Sequence, residues 1–259
     1  MKSKTLYFLH IPKTSGMKMQ QDLVECAKNT NAINTPNVYL PGEFEFVFDP
    51  FIAKSHNIIC GHFGRNPIDT VDNLITFSMI REPFEQYLSL AKYSALQNGV
   101  TFDSNFLDTF LNNNNEINSR FEGMSGCENP QSCFLYSKIA CIEGQVGVDD
   151  FGNPITDITR NFFVEKPKSY TDLRERLEGI MIGTTENRNQ FVESINKILM
   201  ELFNISININ SSVVNKTPTP SFSLNKKQIA AITNKIELDV ELYSKVKESI
   251  YGKTHSRGC

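Results

Sequence analysis

Lys13, Thr14, Ser15 and Gly16 are the residues whose types and order most directly suggest chemistry in this chain. They follow an apolar run, Leu6-Tyr-Phe-Leu-His-Ile11, and Pro12, and they give way to Met17 to Lys28, whose composition suits a helix. A buried strand that turns through a small polar loop into a helix aims several backbone N–H groups and the positive end of the helix at one point. That arrangement suits a phosphate or a sulfate, and Lys13 adds a full charge. The loop is not the usual triphosphate loop, G-x-x-x-x-G-K-[ST], because the first glycine in the chain is Gly16, three residues after the lysine. Taken alone, the same residues also read as an edge strand, a turn and an amphipathic helix with a solvated lysine.

Two further strand ends carry candidate groups. Asn57 to Cys60 reads as a short buried strand ending in Gly61-His62-Phe63-Gly64, and Leu74 to Ile80 as another ending in Arg81-Glu82-Pro83. Open α/β sheets place their ligands at the carboxyl ends of strands, so His62 and Arg81 are well placed. Pro83 suits the first turn of a helix over Phe84 to Gln97, which carries Ser89. His62 competes with a plain role at a strand end. His10 sits inside the first strand and reads as a core or supporting residue, His56 precedes its strand, and His255 lies in the tail.

Around these residues the chain alternates strand and helix patterns. Helices are expected over Asp103 to Leu111, Pro130 to Ile142 and Asn187 to Phe203, and a capping-box pattern at Ser169 starts another. Ile180 to Thr184 reads as a strand, Asn29 to Pro50 as an irregular connection packed on the core, and Asn112 to Asn115 as a loop. Residues 204–225, rich in Asn, Ser, Thr and Pro, read as a flexible loop, Lys226 to Tyr251 as a final helix, and 252–259 as a frayed tail. The expected fold is one α/β domain over residues 1–259, with a central, mainly parallel sheet flanked by helices and a P-loop-like first turn.

Composition narrows the partners. The 259 residues are 40% hydrophobic and 21% charged, with a net charge of -3, as in an ordinary soluble domain. An acidic balance argues against a broad nucleic-acid or heparin-like footprint. No stretch is long and apolar enough to span a bilayer, and the start has no signal-peptide pattern, so a cytoplasmic location is expected. The six cysteines show neither a C-x-x-C pair nor zinc spacing. Cys127 and Cys133 are near enough in sequence to bridge in an oxidising compartment, and spacing does not decide whether they do.

Together, FLHIPKTSG, the pair Gly61-His62 and IREPFEQYLSLAKY from Ile80 to Tyr93 resemble the carbohydrate sulfotransferases of the heparan 2-O-sulfotransferase type. Asn129 to Leu135, Gly183-Thr184 and Glu237 to Tyr243 extend the likeness along most of the chain. The order of these segments carries the resemblance, not any one of them. It implies a P-loop-like sulfotransferase fold and transfer of a sulfuryl group from 3′-phosphoadenosine-5′-phosphosulfate (PAPS) to a hydroxyl, leaving adenosine 3′,5′-bisphosphate (PAP). No metal is required by that scheme.

The resemblance places Lys13, Thr14, Ser15 and Gly16 at the donor's 5′-phosphate, Arg81 and Ser89 at its 3′-phosphate, and Asn215 and Lys216 in a loop closing over the donor. It makes His62 the base that takes the acceptor's proton. The donor loop departs from the family at Met17-Lys18, where small hydroxyl residues are usual; Lys18 reads as an electrostatic substitute if it points inward, and equally as a solvent-facing helix residue. The acidic balance favours a neutral glycan or a small hydroxylated metabolite as acceptor. A small-molecule or nucleoside kinase and a nucleotide-binding module without turnover are the alternatives.

Overall fold

The structure is a computed structural model that describes residues 4–28, 36–40, 48–112, 127–148, 154–207 and 222–255. Five strands make the central sheet: β1 (Thr5–Leu9), β2 (Val38–Tyr39), β3 (Ile58–Gly61), β4 (Leu74–Ile80) and β7 (Ile180–Thr184). Their order is β2-β3-β1-β4-β7 and every pairing is parallel. β1 is buried along its whole length, as a strand covered on both faces must be. Its period of two divides it between two cores: Leu6 and Phe8 face one side, Tyr7 and Leu9 the other.

The Leu6 and Phe8 side is covered by α1 (Gly16–Lys28) through Met19 and Leu23, and by α7 (Arg188–Phe203) through Val192, Ile195 and Leu199. The opposite side is covered by α3 (Pro83–Gln97), α4 (Ser104–Asn112), α5 (Pro130–Tyr136), α6 (Tyr170–Arg176), α8 (Lys226–Lys235) and α9 (Glu237–His255). The result is helix, sheet, helix in three layers. Tyr7, Phe8, Phe63, Phe77 and Phe110 are each essentially inaccessible to solvent, and burying a side chain of this kind stabilises by about 1.5–3 kcal/mol. A short helix, α2 (Pro50–Ala53), is capped by Asp49 before β3 begins. Among the described residues no helix is long and apolar enough to cross a membrane.

Three expectations are corrected. The helix expected over Pro130 to Ile142 ends at Tyr136, and Ile139–Val148 is instead strand β5, paired antiparallel with β6 (Pro154–Phe163) in a separate hairpin. Ser137 marks the break: its hydroxyl donates to Lys138 O at 2.7 Å and accepts from Glu165 N at 3.0 Å, which draws the chain out of helical geometry. The final helix is two helices, interrupted at Ile236 because Asn129 Oδ1 accepts the free N–H groups of Leu238 and Asp239 and starts α9 afresh. The connection from Asn29 to Pro50 contributes edge strand β2. Cys127 and Cys133 both stand as free thiols. The loop expected at 204–225 lies largely outside the described residues, as does 256–259; residues 252–255 continue α9.

Candidate functional site

Because the five strands run parallel, their carboxyl ends lie along one edge of the sheet. Leu9, the last residue of β1, is in register with Gly61 on one side and Ser78 on the other, and Ile80 is in register with Thr184. The turns that follow β1, β3 and β4 therefore leave the same edge, carrying Lys13, His62 and Arg81 respectively. β1 is flanked by β3 on one side and β4 on the other, the strand arrangement that opens a crevice in such sheets.

The turn after β1 is held in an unusual conformation. Lys13 and Ser15 have φ of 67° and 61°, in the left-handed region that L residues rarely occupy. The loop is braced from within: Thr14 is fully buried and its hydroxyl donates to Ile11 O at 2.8 Å. It is also braced from α3, where Gln86 donates its amide to Pro12 O at 3.0 Å. Gln86 Oε1 is buried and has no hydrogen-bond partner among the described residues. Gly16 opens α1 directly against the His10 ring, and a Cβ there would lie 2.0 Å from His10 Cδ2. Thr14 thus serves the loop's shape. Lys13, Ser15 and the first N–H groups of α1 are its ligand-facing candidates.

Lys13 reaches toward α3, its ammonium 4.5 Å from the centre of the Tyr93 ring. Its pKa is lowered, first by burial and then by the charges of Arg81 and Lys92, so positive charge is gathered around this turn. Lys18 is committed elsewhere: its Nζ lies 2.5 Å from Asp22 Oδ1, and Asp22 also receives Arg188 at 2.6 Å. Met17 is 60% exposed.

His62 is buried at the end of β3. Its Nδ1 lies 2.6 Å from His10 O, and a carbonyl only accepts, so Nδ1 carries a hydrogen. The His10 ring is tilted against the His62 ring with centroids 4.1 Å apart, and stacks on Phe8 at 5.5 Å. His10 Nδ1 is bonded to Gln20 Oε1 at 3.0 Å. Burial, above all, holds the His10 pKa well below the usual histidine value, and His62 and Lys13 add to this against the Gln20 bond. His10 is therefore a neutral wall for His62. His56 bonds Ile52 O at 2.8 Å beside α2, before β3 begins, at the opposite edge of the sheet.

Arg81 leaves β4 with its guanidinium 3.3 Å from Glu85 Oε2, an exposed partner one helical turn on. Ser89 is buried on α3, two turns beyond Arg81. Asn215 and Lys216 lie outside the described residues. His10, read as a core or supporting residue, stands beside the site, and Gln131, Asp239 and Gln86 join the site's surroundings without having been singled out for it. Gln131 and Asp239 fall within segments noticed for their pattern, Asn129 to Leu135 and Glu237 to Tyr243, and those segments meet in space through Gln131, Ser132 and Asp239.

No family model matches the chain, and no curated protein matches it. Among solved structures, mouse sulfotransferase SULT7A1 complexed with PAP is similar with a TM-score of 0.38 and 13% identity. The likeness covers 90% of this chain and 64% of that chain, so this chain spans less than two thirds of the neighbour's length.

Proposed function

We propose that the chain is a sulfotransferase that moves the sulfuryl group of PAPS to a hydroxyl, on a neutral glycan or a small hydroxylated molecule, and releases PAP. The observation that carries the reading is the delivery of Lys13, His62 and Arg81 to one sheet edge from three separate strand ends. The order of motifs along the sequence supports it as well. In the reaction the acceptor oxygen attacks sulfur as the bond from sulfur to the donor's phosphate oxygen breaks, and the electron pair departs on the 5′-phosphate. Lys13, Ser15 and the N-terminus of α1 would stabilise that developing charge. The acceptor proton would go to Nε2 of a neutral His62, since Nδ1 already carries the hydrogen bonded to His10 O. Arg81 and Ser89 would take the 3′-phosphate, a forked cation beside a hydroxyl.

Millimolar PAP must raise the melting temperature if this donor site is real, because a ligand of the native state stabilises it by mass action. A flat response refutes the donor site. His62→Ala should lower transfer from labelled PAPS by about 10²–10⁴-fold while leaving PAP binding intact; wild-type rates in that variant refute the base. One observation favours a second reading, a nucleotide-binding module without turnover: Lys18, the substitute for the loop hydroxyls, is paired with Asp22. PAP binding with no transfer to a broad glycan and metabolite panel would select it.

A further inference from the structure

We infer that Gln131 is a positioning residue for the donor site, its side-chain amide clamping both main-chain groups of Arg81 while Asp239 holds the clamp in place. The inference rests on the reading of Arg81 as the ligand of the donor's 3′-phosphate. Arg81 occupies a junction. β4 ends at Ile80, whose carbonyl accepts from Thr185 N at 2.9 Å, and α3 begins at Pro83. The Arg81 main chain lies past the last residue of β4 and before the first of α3. Gln131 bonds both of its polar groups: Arg81 N donates to Gln131 Oε1 at 2.9 Å, and Gln131 Nε2 donates to Arg81 O at 3.0 Å. A glutamine amide is suited to this because one planar group carries an acceptor and donors, mimicking the edge of a further strand.

The clamp is anchored by a reciprocal pair of caps. Asp239, fully buried, accepts from Gln131 N at 3.1 Å, Ser132 N at 2.7 Å and Ser132 Oγ at 2.6 Å, so it ends the open turn of α5. In return Asn129, at φ 51°, accepts from Leu238 N at 2.8 Å and Asp239 N at 3.2 Å and donates its own N–H to Lys235 O at 2.7 Å. Each segment therefore caps the other's helix, and the pair behaves as one rigid block. Gln131, itself 1% exposed, is the arm this block extends to the end of β4. This accounts for both segments that the sequence pattern marked and the donor cradle left unused.

The test is a titration of the full chain with PAP and, separately, with adenosine 5′-monophosphate, which lacks the 3′-phosphate. Gln131→Ala should weaken PAP by about 10-fold or more, since misplacing a binding group by even about 1 Å is costly, while the monophosphate changes by less than about twofold. Gln131→Glu keeps the acceptor for Arg81 N but not the donor to Arg81 O, and should fall between; it also carries the test if the alanine variant does not fold. Adding Gln131→Ala to Arg81→Ala should cost no further PAP affinity, because the two act through one contact. Equal losses for both nucleotides, or full additivity with Arg81→Ala, would overturn the clamp. A wild-type protein with no preference for PAP over the monophosphate would instead overturn the 3′-phosphate role of Arg81, and the clamp's function with it.

Discussion

Replacing Gly16 with alanine probes how closely the donor loop is built onto the proposed base. The added Cβ would lie 2.0 Å from His10 Cδ2, 2.3 Å from Nε2 and 2.9 Å from Cγ, so something must move. The ring has little room to yield: Gln20 holds Nδ1 at 3.0 Å, Phe8 stacks at 5.5 Å and His62 sits at 4.1 Å. Overpacking a rigid buried site costs about 1–3 kcal/mol, and the helix preference of alanine over glycine returns at most about 1 kcal/mol. The net expectation is a loss of about 1–2 kcal/mol, or about 3–6 °C in melting temperature for a chain of this size.

Urea denaturation followed by circular dichroism measures this directly. The decisive comparison is the His10→Ala background, where the obstructing ring is gone. There Gly16→Ala should be neutral or stabilising, giving a coupling of at least about 1 kcal/mol between the two sites. The same cost in both backgrounds, or a Gly16→Ala protein as stable as the wild type, would refute the claim that the His10 ring is what excludes a side chain at residue 16.

Asp239 is pushed up to about 6, chiefly by burial and against the hydrogen bonds from Ser132 and Gln131. It binds its proton more tightly folded than unfolded, so its contribution is fully present below pH about 4 and is lost as pH rises through about 6, a swing on the order of 2–3 kcal/mol. Urea unfolding between pH 4 and 7 should show this fall in the wild type and not in Asp239→Asn; parallel curves would refute it. Asp22→Ala leaves Arg188 and Lys18 facing each other without their shared carboxylate, and should cost about 3–5 kcal/mol in the same assay, with a loss below about 1 kcal/mol counting against a buried ion-pair group. Lys13→Met removes a charge that burial, Arg81 and Lys92 all disfavour, so the apo melting temperature should hold or rise while PAP affinity falls; a lower melting temperature would show that Lys13 stabilises the apo fold.

The fold was legible where a segment's burial is dictated by its own residues. Leu74 to Ile80 and Ile180 to Thr184 are apolar runs too short for helices, and α7 carries its stripe at Val192, Ile195 and Leu199. The hairpin of β5 and β6 was not legible, because Ile139-Ala-Cys-Ile142 fits helix or strand and the choice depends on a partner strand that starts at Pro154. At the site, charged and titratable residues at strand ends announce themselves, as Lys13, His62 and Arg81 do. Gln131 and Gln86 do not. Their work is to satisfy particular main-chain groups, Arg81 and Pro12, and no residue type or spacing reveals which carbonyl a glutamine will meet.

The turn after β1 carries costs that its surroundings must offset. The two residues on either side of Thr14, Lys13 and Ser15, sit at positive φ, each at a cost of about 1–3 kcal/mol that persists only where the surroundings fix it. Those surroundings are the Thr14 bond to Ile11, the Gln86 bond to Pro12 and the packing of Gly16 on His10. The strained loop also keeps Lys13 within the repulsive field of Arg81 and Lys92. On the proposed reading, a ligand bearing two phosphates would offset that repulsion, and the bracing contacts hold the loop in shape for it. On the proposed function, a site whose organisation is met in folding would leave the binding energy of the nucleotide to position the sulfuryl group for attack.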